Sequence, residues 1–362
     1  MTAGSTLPVT VVVDAGSGYS RLQQYSGSRP VGSVEPKRIR GPPLASVLRA
    51  GTHEEFLEEV KKELDLMFPE ELDEKVSVLI GATAGLRSAL DDGTVRPCEV
   101  SSFATSLSSF FPPSSIYEVT FELITGEGEA VYEHGSAVDA MRGLGVVGEG
   151  GTVGLVSSGG MSSQLVYPAA ASSSSGGPPV SALSLPTSLK TEGNAKCLAL
   201  GVREGLRSYE AFMAGCALDK LNKAKGGEAI EDIEPCTFAV IEMLGGLGEK
   251  MEIAHKVMPV ADAIVRIEEW LNEEFYPAAE AKENDDGYDM TWKDVAKGGL
   301  CVQALSLLSL LPQSSSVYLC RTFKAGEGGG ETKANWGHGY VVKKMERERE
   351  REREREGALE AA

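Results

Sequence analysis

The sequence predicts an α/β fold of two domains or two lobes, and three observations predict it. The apolar, β-branched run LPVTVVV reads as a strand that stops at a Gly/Ser turn, AGSG. The order strand, glycine-bearing turn, helix recurs in VSVLIGATAGLRSAL and in YEVTFELITGEGEAVYEHGSAVDAM, the alternation expected of a sheet covered by helices. The length, 362 residues, suits two domains at about 100–200 residues each.

Along the chain, LPVTVVVDAGSGYSRLQQY gives a strand, the turn and a second strand through Leu22 and Tyr25. Thr52 to Glu55, THEE, has the form of a capping box. Phe56, Val60 and Leu64 follow at i+4 spacing, which predicts an amphipathic helix ending near Pro69. TVGLVSSGGMSSQLVYP is strand, turn and strand again. From Ala169 to about Leu189 the composition collapses to Ala, Ser, Gly and Pro and reads as a flexible surface insertion or linker. Cys197 to Phe275 is mostly helical in pattern, with a polar loop from about Asn222 to Glu234, and Ala279–Tyr288 is a second, acidic loop. GGLCVQALSLLSLLP is an apolar helix too short to span a bilayer. A last strand, SSVYLCRTF, leads to GEGGG and ANWGHGYVV. The Glu-Arg alternation from Glu346 to Glu356 puts opposite charges at i+3 and like charges at i+4, so the two effects cancel. It reads as a solvated helix or disordered tail outside the fold.

Composition narrows the function. A net charge of −18 argues against a nucleic-acid-binding surface, which needs clustered Lys and Arg. It leaves room for a small polyphosphate held by backbone N–H groups and a metal ion. No run of about 18 apolar residues occurs, so no membrane span is expected. The first residues run into a strand with no basic region before them, so no signal peptide is read and a cytoplasmic location is expected. Six cysteines are spread singly with no CxxC pair, and are expected to be reduced, half-buried or core thiols. The four histidines lack metal spacing. Glycine is in surplus, 42 residues against an average of about 7%, which means tight turns or close backbone approaches.

Three glycine turns end apolar strands: AGSG (15–18), TGEGE (125–129) and SGGMSS (158–163). Together they suggest loops converging on one anion, each offering a nest of N–H groups. Asp14, which closes the first strand, either caps the turn or holds a hydrated divalent cation.

DAGSGYSRL (14–22) resembles the first conserved region of the ecto-apyrase and Golgi nucleoside diphosphatase family, the nucleoside triphosphate diphosphohydrolases. GATAGLR (81–87), ITGEGEAVY (124–132), SSGGMSSQL (157–165) and NWGHG (335–339) resemble the second to fifth regions, in the family order. KGGLCVQALSLLSLL is similar to the Cys-bearing helix before the fifth. The resemblance covers residues 9–345 and implies a two-lobed actin-like ATPase (ribonuclease H-like) fold with a central cleft. It implies a divalent ion, Mg2+ or Ca2+, and hydrolysis of the terminal phosphate of nucleoside di- and triphosphates. The lobes are expected at 1–165 and 166–345, the second with an insertion at 169–189, before a charged tail at 346–362. By matching positions, Asp14 holds the metal through water, and Ala15, Gly16, Ser17 and Gly18 form the first phosphate loop. Ser158, Gly159, Gly160, Met161 and Ser162 form the second. Glu129 matches the general base, and Gln164, with Ser162, helps hold the attacking water. Thr83, Arg87 and Trp336 are supporting residues. Arg87 ties the second block to the loops or is a solvated helix arginine; Trp336 packs beside the base or braces the lobe. Without the resemblance, Glu129 reads as an ordinary first-turn glutamate favoured by the helix dipole.

The pattern breaks at three positions. Ser157 stands where the family carries a metal-holding aspartate, and a hydroxyl brings no charge, which weakens a divalent site. Gly128 replaces the glutamate before the base and is expected to loosen the turn carrying Glu129. His338 stands where Leu is usual, and the disulfides and membrane anchors of the family's extracellular members are not expected. Three functions therefore remain: an active nucleoside di- and triphosphate hydrolase; a nucleotide-binding relative with reduced or no hydrolysis, on Ser157 and Gly128; and an exopolyphosphatase or guanosine pentaphosphate phosphatase. That third class is the sister branch of the same fold, and its ISGEEEA fits TGEGEA as well as the apyrase form does. GATAGLR and NWGHG favour the first.

Overall fold

A computed structural model describes residues 9–31, 36–69, 75–159, 161–168, 180–186, 203–211, 233–283, 292–324 and 331–360. The chain divides into two compact units, Met1–Gly135 with Trp336–Ala362, and Ser136–Asn335. These bounds differ from the expected lobes of 1–165 and 166–345. The strands at 153–168 pair with the second sheet, and the C-terminal helix returns to the first unit.

In the first unit, β1 (Val9–Ala15), β2 (Ser20–Ser26), β3 (Arg29–Pro30), β4 (Lys37–Arg38), β5 (Val76–Ala82) and β6 (Tyr117–Leu123) form a sheet ordered β3-β2-β1-β5-β6, with β4 also on β2. β1 is apolar at successive positions because both faces of the sheet are covered. Val11 and Val13 face a core with Leu57, Val60, Leu64, Ile80 and Phe103, whereas Val12 packs with Leu79, Ile124, Trp336 and Val341. The first of these cores is closed by α1 (Leu44–Ala50), α2 (His53–Met67), α3 (Ala84–Asp91) and α4 (Pro97–Phe110), and α5 (Gly126–Gly143) follows β6. α2 keeps its expected apolar stripe, but the Thr52 hydroxyl makes no capping bond; only its carbonyl serves, accepting the Glu55 N–H.

In the second unit, β7 (Val153–Ser158), β8 (Ser162–Pro168), β9 (Val180–Pro186), β10 (Thr237–Ile241), β11 (Val257–Pro259) and β12 (Ser316–Leu319) form a sheet ordered β11-β12-β10-β7-β8-β9. α6 (Glu242–Lys250), α7 (Val260–Trp270) and α9 (Trp292–Leu308) pack on it, α8 (Tyr276–Glu283) lies between α7 and α9 in sequence, and α10 (Trp336–Glu360) belongs to the first unit. Five strands of each sheet follow one plan, three antiparallel strands and then two added parallel to the first of them, and one further antiparallel strand joins each sheet, β4 on β2 and β11 on β12. That repeated order is the ribonuclease H-like topology expected of the sequence.

Several expectations are corrected. Val180–Pro186 is a strand hydrogen-bonded to β8 rather than linker, since alternate residues Leu183 and Leu185 are buried; 169–179 and 187–189 lie outside the described residues. The helical stretch is interrupted by β10 and β11, and α8 covers the start of the expected acidic loop, while 284–288, 212–232 and GEGGG lie outside the described residues. The Glu-Arg segment takes the first of its two expected forms, a helix that continues α10 and is largely exposed through Arg355. Cys98 is exposed rather than half-buried, Cys236 is partly buried, and Cys301 and Cys320 are buried; all four are free, and Cys197 and Cys216 lie outside the described residues. Among the described residues no helix is long and apolar enough to cross a membrane.

Candidate active site

The expected site residues fall on both units, and each set has its own geometry. In the first unit, β1 delivers Asp14 to the edge of the loop Gly16–Gly18. Its carboxylate accepts from Arg21 Nε at 3.0 Å and from the Trp336 indole Nε1 at 3.1 Å. No protein acceptor takes the N–H groups of Gly16, Ser17 or Gly18 among the described residues, so the loop presents donors as an anion nest would. The second block is built around two close approaches. A Cβ on Gly85 would lie 2.6 Å from Ser17 Cα, so α3 starts directly against the loop. A Cβ on Gly81 would lie 2.3 Å from the Trp336 ring, so the indole occupies that space. Trp336 is buried, and its neighbour His338 is buried with its ring stacked on Tyr25.

Thr83 precedes α3; its carbonyl accepts the N–H groups of Leu86 and Arg87, and its hydroxyl makes no capping bond. Arg87 is held inward rather than solvated. Its guanidinium donates to the Ile124 carbonyl at 2.5 Å and to Glu129 Oε2 at 3.0 Å. Glu129 is 8% exposed and sits in the first turns of α5. The turn is not loosened by Gly128: the Gly128 N–H donates to Thr125 Oγ1 at 3.0 Å and the Glu129 N–H to the Thr125 carbonyl at 2.9 Å. Thr125 is thus the N-cap that fixes the first turn of α5, which carries Glu129. The first, second, third and fifth blocks are therefore one connected construction within the first unit.

In the second unit the fourth block forms the turn between β7 and β8. Ser157 is fully buried, and its hydroxyl has no hydrogen-bond partner among the described residues. Ser158 and Ser163 face each other across the turn, and the Gln303 side-chain amide of α9 donates to both hydroxyls. The Gly159 N–H closes the hairpin on the Ser162 carbonyl at 2.8 Å instead of standing free. Gln164 is 1% exposed and donates through Nε2 to Ser162 Oγ at 2.8 Å, which commits that donor to the protein. Met161 is partly buried, and Gly160 lies outside the described residues. Ser158 also bridges to Glu242, a non-glycine residue at φ 58° that forms an ion pair with the buried Lys333 at 3.8 Å.

Asp14 already pairs with a guanidinium and an indole N–H, Ser157 is a neutral buried hydroxyl, and among the described residues no group of three acidic, Cys or His side chains could hold an ion directly. The described side chains therefore form no all-protein cage for the expected Mg2+ or Ca2+; an ion held through water at Asp14 would take its other ligands from waters and substrate phosphates. The residues missed at the sequence level are Arg21, Gln303, Glu242 and Lys333. Arg21 lies inside DAGSGYSRL, and Gln303 is the lone amide in an apolar helix, which was a signal; the other two carried none.

No family model matches the chain, and no curated protein matches it significantly. Solved structures do. A Ppx/GppA family member of Aquifex aeolicus is 15% identical with a TM-score of 0.55, over 94% of this chain and 98% of that one. Nucleoside triphosphate hydrolases from Neospora caninum are 12% identical with a TM-score of 0.54, over 92% of each chain. An exopolyphosphatase from Cytophaga hutchinsonii is 11% identical with a TM-score of 0.53, over 93% and 98%. At these identities the likeness concerns the fold, and the chain has the actin-like ATPase fold.

Proposed function

We propose that this chain hydrolyses a terminal phosphoanhydride bond, with Glu129 as general base. The observation that carries the reading is the part-buried Arg87–Glu129 pair at the capped start of α5, beside a glycine loop whose N–H groups meet no protein acceptor among the described residues. Water attacks the terminal phosphorus and its proton passes to the Glu129 carboxylate, which lowers the barrier because neutral water is a weak nucleophile. The bond from phosphorus to the bridging oxygen breaks, and the shortened polyphosphate leaves. Arg87 holds the carboxylate in one orientation, and the N–H groups of Gly16–Gly18 meet the charge on the phosphoryl oxygens.

The substrate class favoured here is inorganic polyphosphate or guanosine pentaphosphate. The likeness to the Ppx/GppA member and to the exopolyphosphatase supports it. Nucleoside di- and triphosphates are the second reading, favoured by GATAGLR and NWGHG and by the likeness to nucleoside triphosphate hydrolases. Phosphate release from polyphosphate, guanosine pentaphosphate, ATP, ADP, GDP and UDP separates them, run with Mg2+, with Ca2+ and with chelator. Release no greater than that of Glu129→Ala on every substrate would overturn hydrolysis and leave a nucleotide-binding relative, the reading that Ser157 suggests.

A further inference from the structure

Asp14, Arg21 and Arg38 are cross-strand partners in one row over β1, β2 and β4. Directly opposite residues place their side chains on the same face of a sheet. The row therefore holds one carboxylate and two guanidinium groups. Arg21 is neutralised by Asp14. Arg38 has no carboxylate partner among the described residues and rests instead on the Tyr19 ring, its Cζ 4.6 Å from the centroid, with Arg21 Cζ 5.6 Å from the same ring. Like charges placed directly opposite each other weaken a strand pair, and among the described residues this arrangement carries one positive charge more than its carboxylate balances. Tyr19 is 40% exposed, Arg38 is exposed, and Tyr19 directly follows the loop Gly16–Gly18.

We propose that Arg38, stacked on Tyr19, is a second anion site that holds a phosphate group of the substrate beyond the two joined by the bond being broken. The inference rests on the reading of Gly16–Gly18 as the loop for the reacting phosphate. Stacking on an aromatic ring fixes the plane of a guanidinium and leaves its N–H edge open for two parallel bonds to a phosphate. A terminal phosphate needs the loop alone. The additional site distinguishes substrates that carry further phosphates, either along a chain or at a second position of a nucleotide, from those that do not.

The test is equilibrium binding, which does not depend on turnover. Long-chain inorganic polyphosphate, guanosine pentaphosphate and inorganic pyrophosphate are titrated into the full chain and into its Arg38→Gln and Arg38→Lys variants, beside phosphate-release assays. Arg38→Gln is expected to weaken the long or doubly phosphorylated ligand by about tenfold, the equivalent of about one charge-assisted hydrogen bond, and to leave pyrophosphate affinity and the melting temperature unchanged. Arg38→Lys, which keeps the charge without the planar fork, is expected to recover only part of the loss. Loss confined to polyphosphate assigns the site to a chain, and loss confined to guanosine pentaphosphate assigns it to the second phosphorylated position. Binding of all three ligands by Arg38→Gln as tightly as by the unaltered chain overturns the site whether or not phosphate is released. Weakened binding in a chain that releases no phosphate overturns hydrolysis alone.

Discussion

At the scale of single residues, the site is a set of carboxylates held by partners remote in sequence. Glu129→Gln keeps the shape of the side chain but removes its basicity, and phosphate release is expected to fall by about a hundred- to ten-thousand-fold with the fold intact by circular dichroism. Arg87→Ala removes one donor from the buried Glu129 carboxylate and one from the Ile124 carbonyl. It is expected to lower unfolding stability in urea by about 1–3 kcal/mol, the range for losing a hydrogen bond to a charged group. Asp14 was legible as the end of an apolar strand, where it caps the turn or holds a cation, whereas Glu129 stood out only through the resemblance, because a glutamate that opens a helix is ordinary. What binds them was only partly legible. Trp336 stands 322 residues from Asp14 along the chain, and no local pattern reports that the two meet. Gln303 looked like one polar interruption in an apolar helix, although its amide organises both serines of the second turn.

At the scale of elements, glycines decide which segments touch. A Cβ on Gly339 would stand 1.6 Å from the Tyr132 carbonyl oxygen, so α10 lies directly on α5. Gly339→Ala is expected to destabilise the chain by about 1–3 kcal/mol despite the better helix propensity of alanine, because the helices must separate. Gly85→Ala acts on function as well: it pushes the Ser17 loop out of place, and a rise in KM at little cost in melting temperature is the expected signature. Strand, turn and helix order was legible from apolar runs and glycines. β9 was not, because Val180–Pro186 follows a tract of Ala, Ser, Gly and Pro and becomes a strand only through its pairing with β8. The THEE capping box failed for a related reason: spacing fixed the helix, while the hydroxyl rotor was free to make no bond.

For the whole molecule, burial sets the response to alkali. Burial pushes the thiols of Cys236 and Cys301 up to about 12, and that of Cys320 further in the same direction. A raised folded-state value means the native chain keeps protons that the unfolded chain has already released. Stability from these groups is therefore complete below the ordinary thiol value of 9.0 and is lost as pH rises from there towards about 12. Urea unfolding midpoints should fall over that window and recover in part when Cys301 is replaced by Ala. At neutral pH a thiol reagent should modify Cys98 at once and the three partly or fully buried cysteines only on unfolding. The two-unit plan was foreseen from length and from the resemblance, but its boundaries were not, since they depend on which sheet the strands at 153–168 join.

The return of α10 to the first unit has a consequence for biosynthesis. Trp336, which fills the space over Gly81 and bonds Asp14, leaves the ribosome some two hundred residues after Gly135, a delay of roughly 10–40 s at ordinary elongation rates. For that interval the nascent first unit lacks the side chain that covers Val12, Leu79 and Ile124. Ribosome-bound chains stalled before Trp336 should be cut readily by protease within residues 9–135, and chains stalled far enough beyond α10 to clear the exit tunnel should resist. The second unit, contiguous in sequence, awaits no later segment of the chain.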